Sequence, residues 1–276
     1  MLKPFTQNPP TVLTIAGVDS GGGAGVAADL KTFAALGVHG LCAVTALTAQ
    51  NTQAVVASWP LAPEVVTGQI EALMADFSVA AVKIGMLATA ANVEAVYHAI
   101  VNHHLHNVVV DPVLVATSGA VLLEPDGLQL YRDTLLPVAH VVTPNVAEAE
   151  ALLGTRLHSV DDLPHAAREL AHLSPRGPQA VLITGGHLLQ QGEAADVLYD
   201  RKSDRVHFLL GPALDAPTTH GTGCVFSAAL ATYLALGDTL LAAATAAKNF
   251  TLESIRHGLT LGAGVGPVNP MWKLFA

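Results

Sequence analysis

Short apolar runs alternate with longer stretches of helical periodicity along most of the chain. "TVLTIAG" (11–17), "LCAVTALTA" (41–49), "AAVKIG" (80–85), "NVVVD" (107–111), "HVVT" (140–143) and "AVLITGG" (180–186) are predicted strands, each bounded by Gly, Pro or polar residues. Helices are predicted near 24–36, 63–75, 89–103, 145–153 and 161–173. Continuous apolar strands separated by helices imply βα units and a parallel sheet covered on both faces. "ADVLYD" (195–200) and "RVHFLLG" (205–211) have no helix between them and predict an antiparallel pair at one edge. "VFSAALATYLALGDTLLAAATAA" (225–247) approaches the length of a membrane span, but "LGD" at 236–238 divides it, which predicts two consecutive buried helices. With no repeat, linker or low-complexity tract, one domain over 1–276 is expected, with 1–10 as a flexible N-terminal extension.

Composition narrows this α/β reading. The 276 residues carry a net charge of −9 with His neutral, and only 13% are Asp, Glu, Lys or Arg. No Lys/Arg cluster offers a nucleic-acid footprint. Two cysteines, Cys42 and Cys224, are too few for a disulfide framework or a zinc cage and suit a reducing cytoplasm. "MLKPFTQNPP" lacks the apolar core of a signal peptide, and no membrane partner is expected.

In open parallel sheets, ligands gather at the carboxyl ends of the strands, so the residues after each strand carry the functional signal. The first loop, "GVDSGGGAGVAADLKTF", holds three successive glycines before a helix, where backbone N–H groups favour anions. Gly23, Gly25 and Ala28 fit a loose dinucleotide fingerprint, but residues 30 to 63 contain no Asp or Glu to bind a ribose. No Walker A loop occurs. Asp29 lies one turn into the first helix, near the same mouth. Gln50 ends the second strand, and its amide suits a heterocycle with paired donor and acceptor atoms.

Late in the chain, "THGTGC" (219–224) precedes an Ala-rich helix. Gly221 and Gly223 free successive N–H groups, with that of Thr222 between them, to converge on one anion. Cys224 then falls in the first helical turn, where the helix dipole lowers a thiol pKa. It reads either as a small packed residue or, with His220 and the glycines beside it, as a general base. "TPNVAEAE" sets Asn145 and Glu148 three residues apart at a helix start. That pair reads equally as a capping box or as a polar anchor for hydrated Mg²⁺. Asp111 before Pro112 either faces the site or caps its loop. His103, His104 and His106 lack an acidic or thiol partner and read as surface.

Taken in order, "TIAGVDSGGGAGVAADLKTF", "TALTAQN", "KIGML", "VVVDPV", "VVTPN", "TGGH" and "THGTGC" resemble hydroxymethylpyrimidine/phosphomethylpyrimidine kinases of the ribokinase-like superfamily. The resemblance runs from about residue 11 to "GPVN" at 266–269. It implies a three-layer α/β/α sandwich, a mostly parallel central sheet, a homodimer, and ATP- and Mg²⁺-dependent phosphorylation of a pyrimidine alcohol, then of its monophosphate, for thiamine synthesis. It implies Cys224 as the catalytic group and the N–H groups of Gly221, Thr222 and Gly223 as the anion hole. Gln50, Asp29, Gly17, Met86 and Val113 match positions lining the pyrimidine pocket. Asn145, Glu148, Thr184, Gly186 and His220 fall on the nucleotide and metal side, Asn145 and Glu148 holding the metal through water. Thr184 and Thr117 stand where the family commonly carries Lys, which leaves more phosphate charge to backbone and metal. Pyridoxal kinases on the same scaffold are the nearest alternative. Ala116, in place of their second cysteine, and the retained Gln50 favour the pyrimidine. A non-catalytic pyrimidine-binding protein is the remaining reading.

Overall fold

The computed structural model describes residues 8–115, 122–186, 188–190 and 193–274; Ala116 and Thr117 lie outside them, as does most of the expected N-terminal extension. In chain order the elements are β1 (Thr11–Val18), α1 (Gly25–Leu36), β2 (His39–Gln50), β3 (Val55–Pro60), α2 (Pro63–Met74), β4 (Val79–Ile84), α3 (Ala90–Asn102) and β5 (Val108–Val110). There follow α4 (Pro125–Leu130), continuing through a π-helical turn at Tyr131–Leu135 into α5 (Leu136–Val138), and then β6 (Val141–Val142), α6 (Val146–Leu153) and α7 (Leu163–Ala171). The last part holds β7 (Ala180–Ile183), β8 (Leu189–Gln190), β9 (Glu193–Asp200), β10 (Arg205–Pro212), α8 (Thr222–Ala235) and α9 (Leu240–Arg256).

Among the described residues the strands form one ten-stranded sheet in the order β10-β9-β7-β6-β5-β4-β1-β2-β3, with β8 paired to β9. The run β7-β6-β5-β4-β1-β2 is parallel. β9 and β10 make the antiparallel edge that the missing helix between them predicted. At the other edge β3 pairs antiparallel with β2, an element the sequence reading missed. "NTQAVVASWP" alternates weakly and leaves Val56 and Trp59 exposed, so its periodicity carries little burial signal.

Strand alternation feeds two cores. Leu13, Ile15, Val82, Ile84, Val108 and Val110 pack with α2, α3, α6 and α7. Val12, Ala81, Val109, Val141 and Leu182 turn to the other face and pack with α1, α8 and α9. Burying one Val, Leu or Ile contributes about 1.5–3 kcal/mol, so these paired faces hold the three layers together. The 225–247 stretch divides as expected: α8 ends at Ala235, Leu236 caps it, and Gly237 takes φ 92° before α9 begins. None of the described helices is long and apolar enough to cross a membrane.

Candidate active site

α8 packs along β1, β4 and β5, and its first turns lie at the carboxyl end of β5, where Gly223 and Ser227 face Asp111. Gly221 caps this helix at φ 84°, a left-handed conformation that a side chain disfavours. A Cβ there would also lie 1.9 Å from the Gly23 carbonyl oxygen. The two glycine loops therefore touch backbone to backbone. The Thr222 N–H, expected in the anion hole, is instead spent within its own turn: it donates to the Thr219 carbonyl at 3.2 Å, and the Thr222 hydroxyl donates to the same oxygen at 2.7 Å. Among the described residues, the N–H groups of Gly223 and Cys224 find no protein acceptor. Gly223 is exposed, so the helix start presents free donors to an anion.

Cys224 stands in this turn, but the thiolate expectation fails. Burial pushes its thiol up to about 12, and the nearby Asp29 and Asp111 carboxylates push the same way. The Lys83 ammonium and the Gly25 N–H pull against them and lose. The residue as a whole is only half-buried, yet the charges acting on its sulfur are enclosed, and that desolvation outweighs the helix dipole.

Asp29 is also corrected. It is fully buried beneath the loops and does not line an open pocket. Both its oxygens accept from Lys83 Nζ, at 3.0 and 2.9 Å, and Oδ2 accepts from the Thr14 hydroxyl at 2.6 Å. Burial drives the Asp29 carboxyl upward. Lys83 rises despite burial because Asp29, Cys224 and Asp111 surround it with negative or ionisable groups. The ammonium is the firmer assignment, since three such neighbours favour it. Lys83 escaped the sequence reading although its signal was present: a Lys inside the wholly apolar strand "AAVKIG" needs a buried partner.

Gly17, Met86 and Val113 come together. A Cβ on Gly17 would meet Met86 Sδ at 3.0 Å, and Met86 joins Ala46 and Ala88 in a small apolar cluster against which Val113 and Leu122 pack. Gln50 is half-buried at the end of β2. Its Oε1 lies 3.2 Å from the Thr48 hydroxyl, which also reaches the Val18 carbonyl at 2.9 Å. Its amide NH₂ has no acceptor among the described residues.

Asn145 and Glu148 form the capping box of α6. Asn145 Oδ1 accepts from the Glu148 N–H and Glu148 Oε2 from the Asn145 N–H, both at 2.9 Å. Cap and acidic site are not exclusive here. Burial and the Asp111 charge push the Glu148 carboxyl up to about 8. Asp111, left undecided in the sequence, is buried, and its Oδ2 accepts from the Ser227 hydroxyl of α8 at 2.8 Å. Two enclosed acids at one end of the sheet, both held above their ordinary values chiefly by burial, could hold a divalent cation that keeps most of its waters. Thr184 pairs with Asn145 in an isolated bridge, and its N–H donates to the Pro144 carbonyl at 2.9 Å. Gly186 follows, exposed, at φ 55°. Between them the Gly185 N–H donates to Asp196 Oδ1 at 3.0 Å, while Asp196 Oδ2 pairs with Lys248 at 2.8 Å. His220, expected at the nucleotide, instead has its ring Nε2 2.8 Å from Asp19 Oδ2.

The sequence profile of the family described as phosphomethylpyrimidine kinase matches residues 19–269. The hydroxymethylpyrimidine/phosphomethylpyrimidine kinase of Synechococcus elongatus is 44% identical over 96% of this chain and 99% of its own. The ADP complex of Bacillus subtilis pyridoxal kinase superposes with a TM-score of 0.88 at 37% identity, over 98% of this chain and 100% of that one. Phosphomethylpyrimidine kinase from Clostridium difficile superposes with a TM-score of 0.77, also at 37% identity, over 89% and 99% of the two chains. With glycine loops, buried acids and α8 cysteine all inside the matched span, the chain belongs to the phosphomethylpyrimidine kinase family of phosphotransferases.

Proposed function

We propose that this protein transfers the γ-phosphoryl group of ATP to 4-amino-5-hydroxymethyl-2-methylpyrimidine and then to its monophosphate, in thiamine biosynthesis, as a cytoplasmic homodimer. The observation that carries the reading is the close approach of the α8 cap Gly221 to the Gly23 carbonyl, which sets the free N–H donors of α8 against the first glycine loop; that loop follows Gly17 of the apolar wall and bonds to Gln50 through Ser20.

Magnesium-bound ATP supplies the phosphoryl group and screens its charge; Asn145 and Glu148 would hold the metal through water, with Asp111 close by. Thr184 and Gly186 border the nucleotide side. The N–H groups of Gly223 and Cys224, with Gly221 and Thr222 shaping the loop, bind the oxygens on which charge gathers during transfer. Gln50 donates its amide hydrogens to a ring nitrogen, and the apolar wall fixes the ring plane. Cys224 keeps its proton at neutral pH and orients the substrate hydroxyl. A loose phosphoryl transition state asks for little base strength, so a thiol pushed up to about 12 is compatible with turnover. In this reading the substrate oxygen bonds to phosphorus as the bond to ADP breaks, and the hydroxyl proton passes late to an oxygen of the transferred phosphoryl group.

The likeness to Bacillus subtilis pyridoxal kinase favours one second reading, phosphorylation of pyridoxal at the same site. Coupled ADP release with the two alcohols side by side, products resolved as mono- and diphosphate, decides between them. Pyrimidine diphosphate supports both steps. Turnover of pyridoxal alone moves the protein to vitamin B6 salvage, and turnover of neither leaves binding without chemistry.

A further inference from the structure

We propose that Asp19 is a positioning residue for phosphoryl transfer: through His220 it clamps the anion-binding loop 219–224 to the first glycine loop. The inference rests on the kinase reading above.

The Asp19 side chain is 4% exposed and its two oxygens are fully engaged. Oδ1 accepts from the Gly21 N–H at 2.8 Å. Oδ2 accepts from the N–H groups of Gly23 at 3.0 Å and Ala24 at 2.9 Å, and lies 2.8 Å from His220 Nε2. One carboxylate thus shapes the whole turn into α1 and reaches 201 residues along the chain to the other loop. His220 is held from behind: its N–H donates to the Gly266 carbonyl at 3.1 Å, and its own carbonyl accepts from the Val268 N–H at 3.0 Å. With backbone and ring both fixed, the next residue, Gly221, is delivered to its left-handed cap, and the N–H groups of Gly223 and Cys224 follow.

The fit leaves no slack. A Cβ on Gly23 would meet the His220 ring at 2.5 Å, so the glycine lets the ring pack directly against the first loop. A bare carboxylate beside a phosphate site would repel the ligand. Three N–H groups and the His220 ring occupy both oxygens of this one, which separates Asp19 from a ligand contact. Burial opposes its ionisation, but the His220, Gly21 and Gly23 hydrogen bonds overcome that and hold the carboxyl below its ordinary value.

The test compares Asp19→Asn, His220→Ala, His220→Gln and the Asp19→Asn/His220→Ala pair. Asp19→Asn keeps the volume but gives up one accepting oxygen. His220→Gln keeps an N–H donor near the position of Nε2. Misplacement of reacting groups by about 1 Å costs on the order of 10²-fold in rate, so Asp19→Asn and His220→Ala should each lower kcat by roughly 10–100-fold with little change in pyrimidine KM. His220→Gln should recover most of that loss, and the double variant should be no worse than the poorer single one. Amide hydrogen exchange supplies a readout that needs no turnover: residues 219–224 should exchange faster in Asp19→Asn while the β1 and β4 amides stay protected. Additive kcat losses, a His220→Gln variant as poor as His220→Ala, or unchanged exchange at 219–224 would each overturn the clamp. A wild-type protein that phosphorylates neither alcohol would sink the kinase reading, and the exchange data would still decide whether the loops are joined.

Discussion

The Lys83 ammonium lies 2.9 Å from the Asp29 carboxylate, with no exposed surface on either side chain. β4 and α1 are thereby joined directly under the loops that build the site. Removing one member of such a pair strands a buried charge, at about 3–5 kcal/mol, whereas replacing both with apolar groups is often near neutral. Lys83→Met should therefore lower urea-unfolding stability by an amount of that order, and Lys83→Met/Asp29→Leu should regain most of it. The double variant should still lose turnover, because the cation acting on Cys224 is gone. Full activity in the double variant would make the pair purely structural.

Cys224 should behave as a protonated thiol. With its thiol pushed up to about 12, the thiolate fraction at pH 8 is smaller than that of a free cysteine by roughly three orders of magnitude. Iodoacetamide labelling of the Cys224 peptide, followed by mass spectrometry, should be slow at pH 7–8 and accelerate up to pH 10. Lys83→Met should slow it further, since that ammonium favours the thiolate. Rapid labelling at pH 7 would restore a resting base. Cys224→Ala should reduce kcat by about 10²-fold or more while ATP binding stays near its wild-type value.

The pyrimidine side should be separable from the nucleotide side. Gln50→Ala removes amide donors that have no protein acceptor among the described residues, and a lost hydrogen bond of about 1–3 kcal/mol predicts a pyrimidine KM higher by about 5- to 150-fold. Gly17→Ala pushes a methyl to within 3.0 Å of Met86 Sδ, so the apolar wall must shift. It should raise pyrimidine KM by a smaller factor. Steady-state kinetics varying each substrate in turn should show ATP KM nearly unchanged in both variants; a larger rise in ATP KM would move Gln50 out of the substrate pocket.

Fold and site were unequally legible in the sequence. Apolar runs located the strands of the parallel sheet because β1, β4, β5, β6 and β7 are buried on both faces, β2 less completely. The exposed β3 edge and the helix after residue 122 carry no comparable pattern. The glycine loops were legible because left-handed turns and close backbone approach demand Gly, as Gly221 against Gly23 illustrates. What escaped was pairing across the chain. Lys83 with Asp29, Asp19 with His220, and Asp111 with Ser227 are separated by 54, 201 and 116 residues, and no local spacing announces them. The direction of the Cys224 shift was missed for the same reason. The helix start was visible, but the enclosed carboxylates that oppose it were not.

Glu148 connects metal binding to pH. Its carboxyl is pushed up to about 8 from an ordinary 4.5, so between those values the folded state holds a proton that the unfolded state has lost. A group raised in this way makes the metal-free protein less stable as pH climbs from about 4.5 to 8. Glu148→Gln should flatten that part of the Tm profile. A divalent cation near the same carboxyl needs the ionised form and competes with the proton, so the Tm gain from Mg²⁺ should grow between pH 6 and 9 in the wild type. In Glu148→Gln the gain should be small and nearly pH-independent. Thermal scans with and without Mg²⁺ at each pH give the result directly. Equal Mg²⁺ stabilisation at pH 6 and pH 9, retained in Glu148→Gln, would take the metal away from α6 and leave Glu148 as a cap alone.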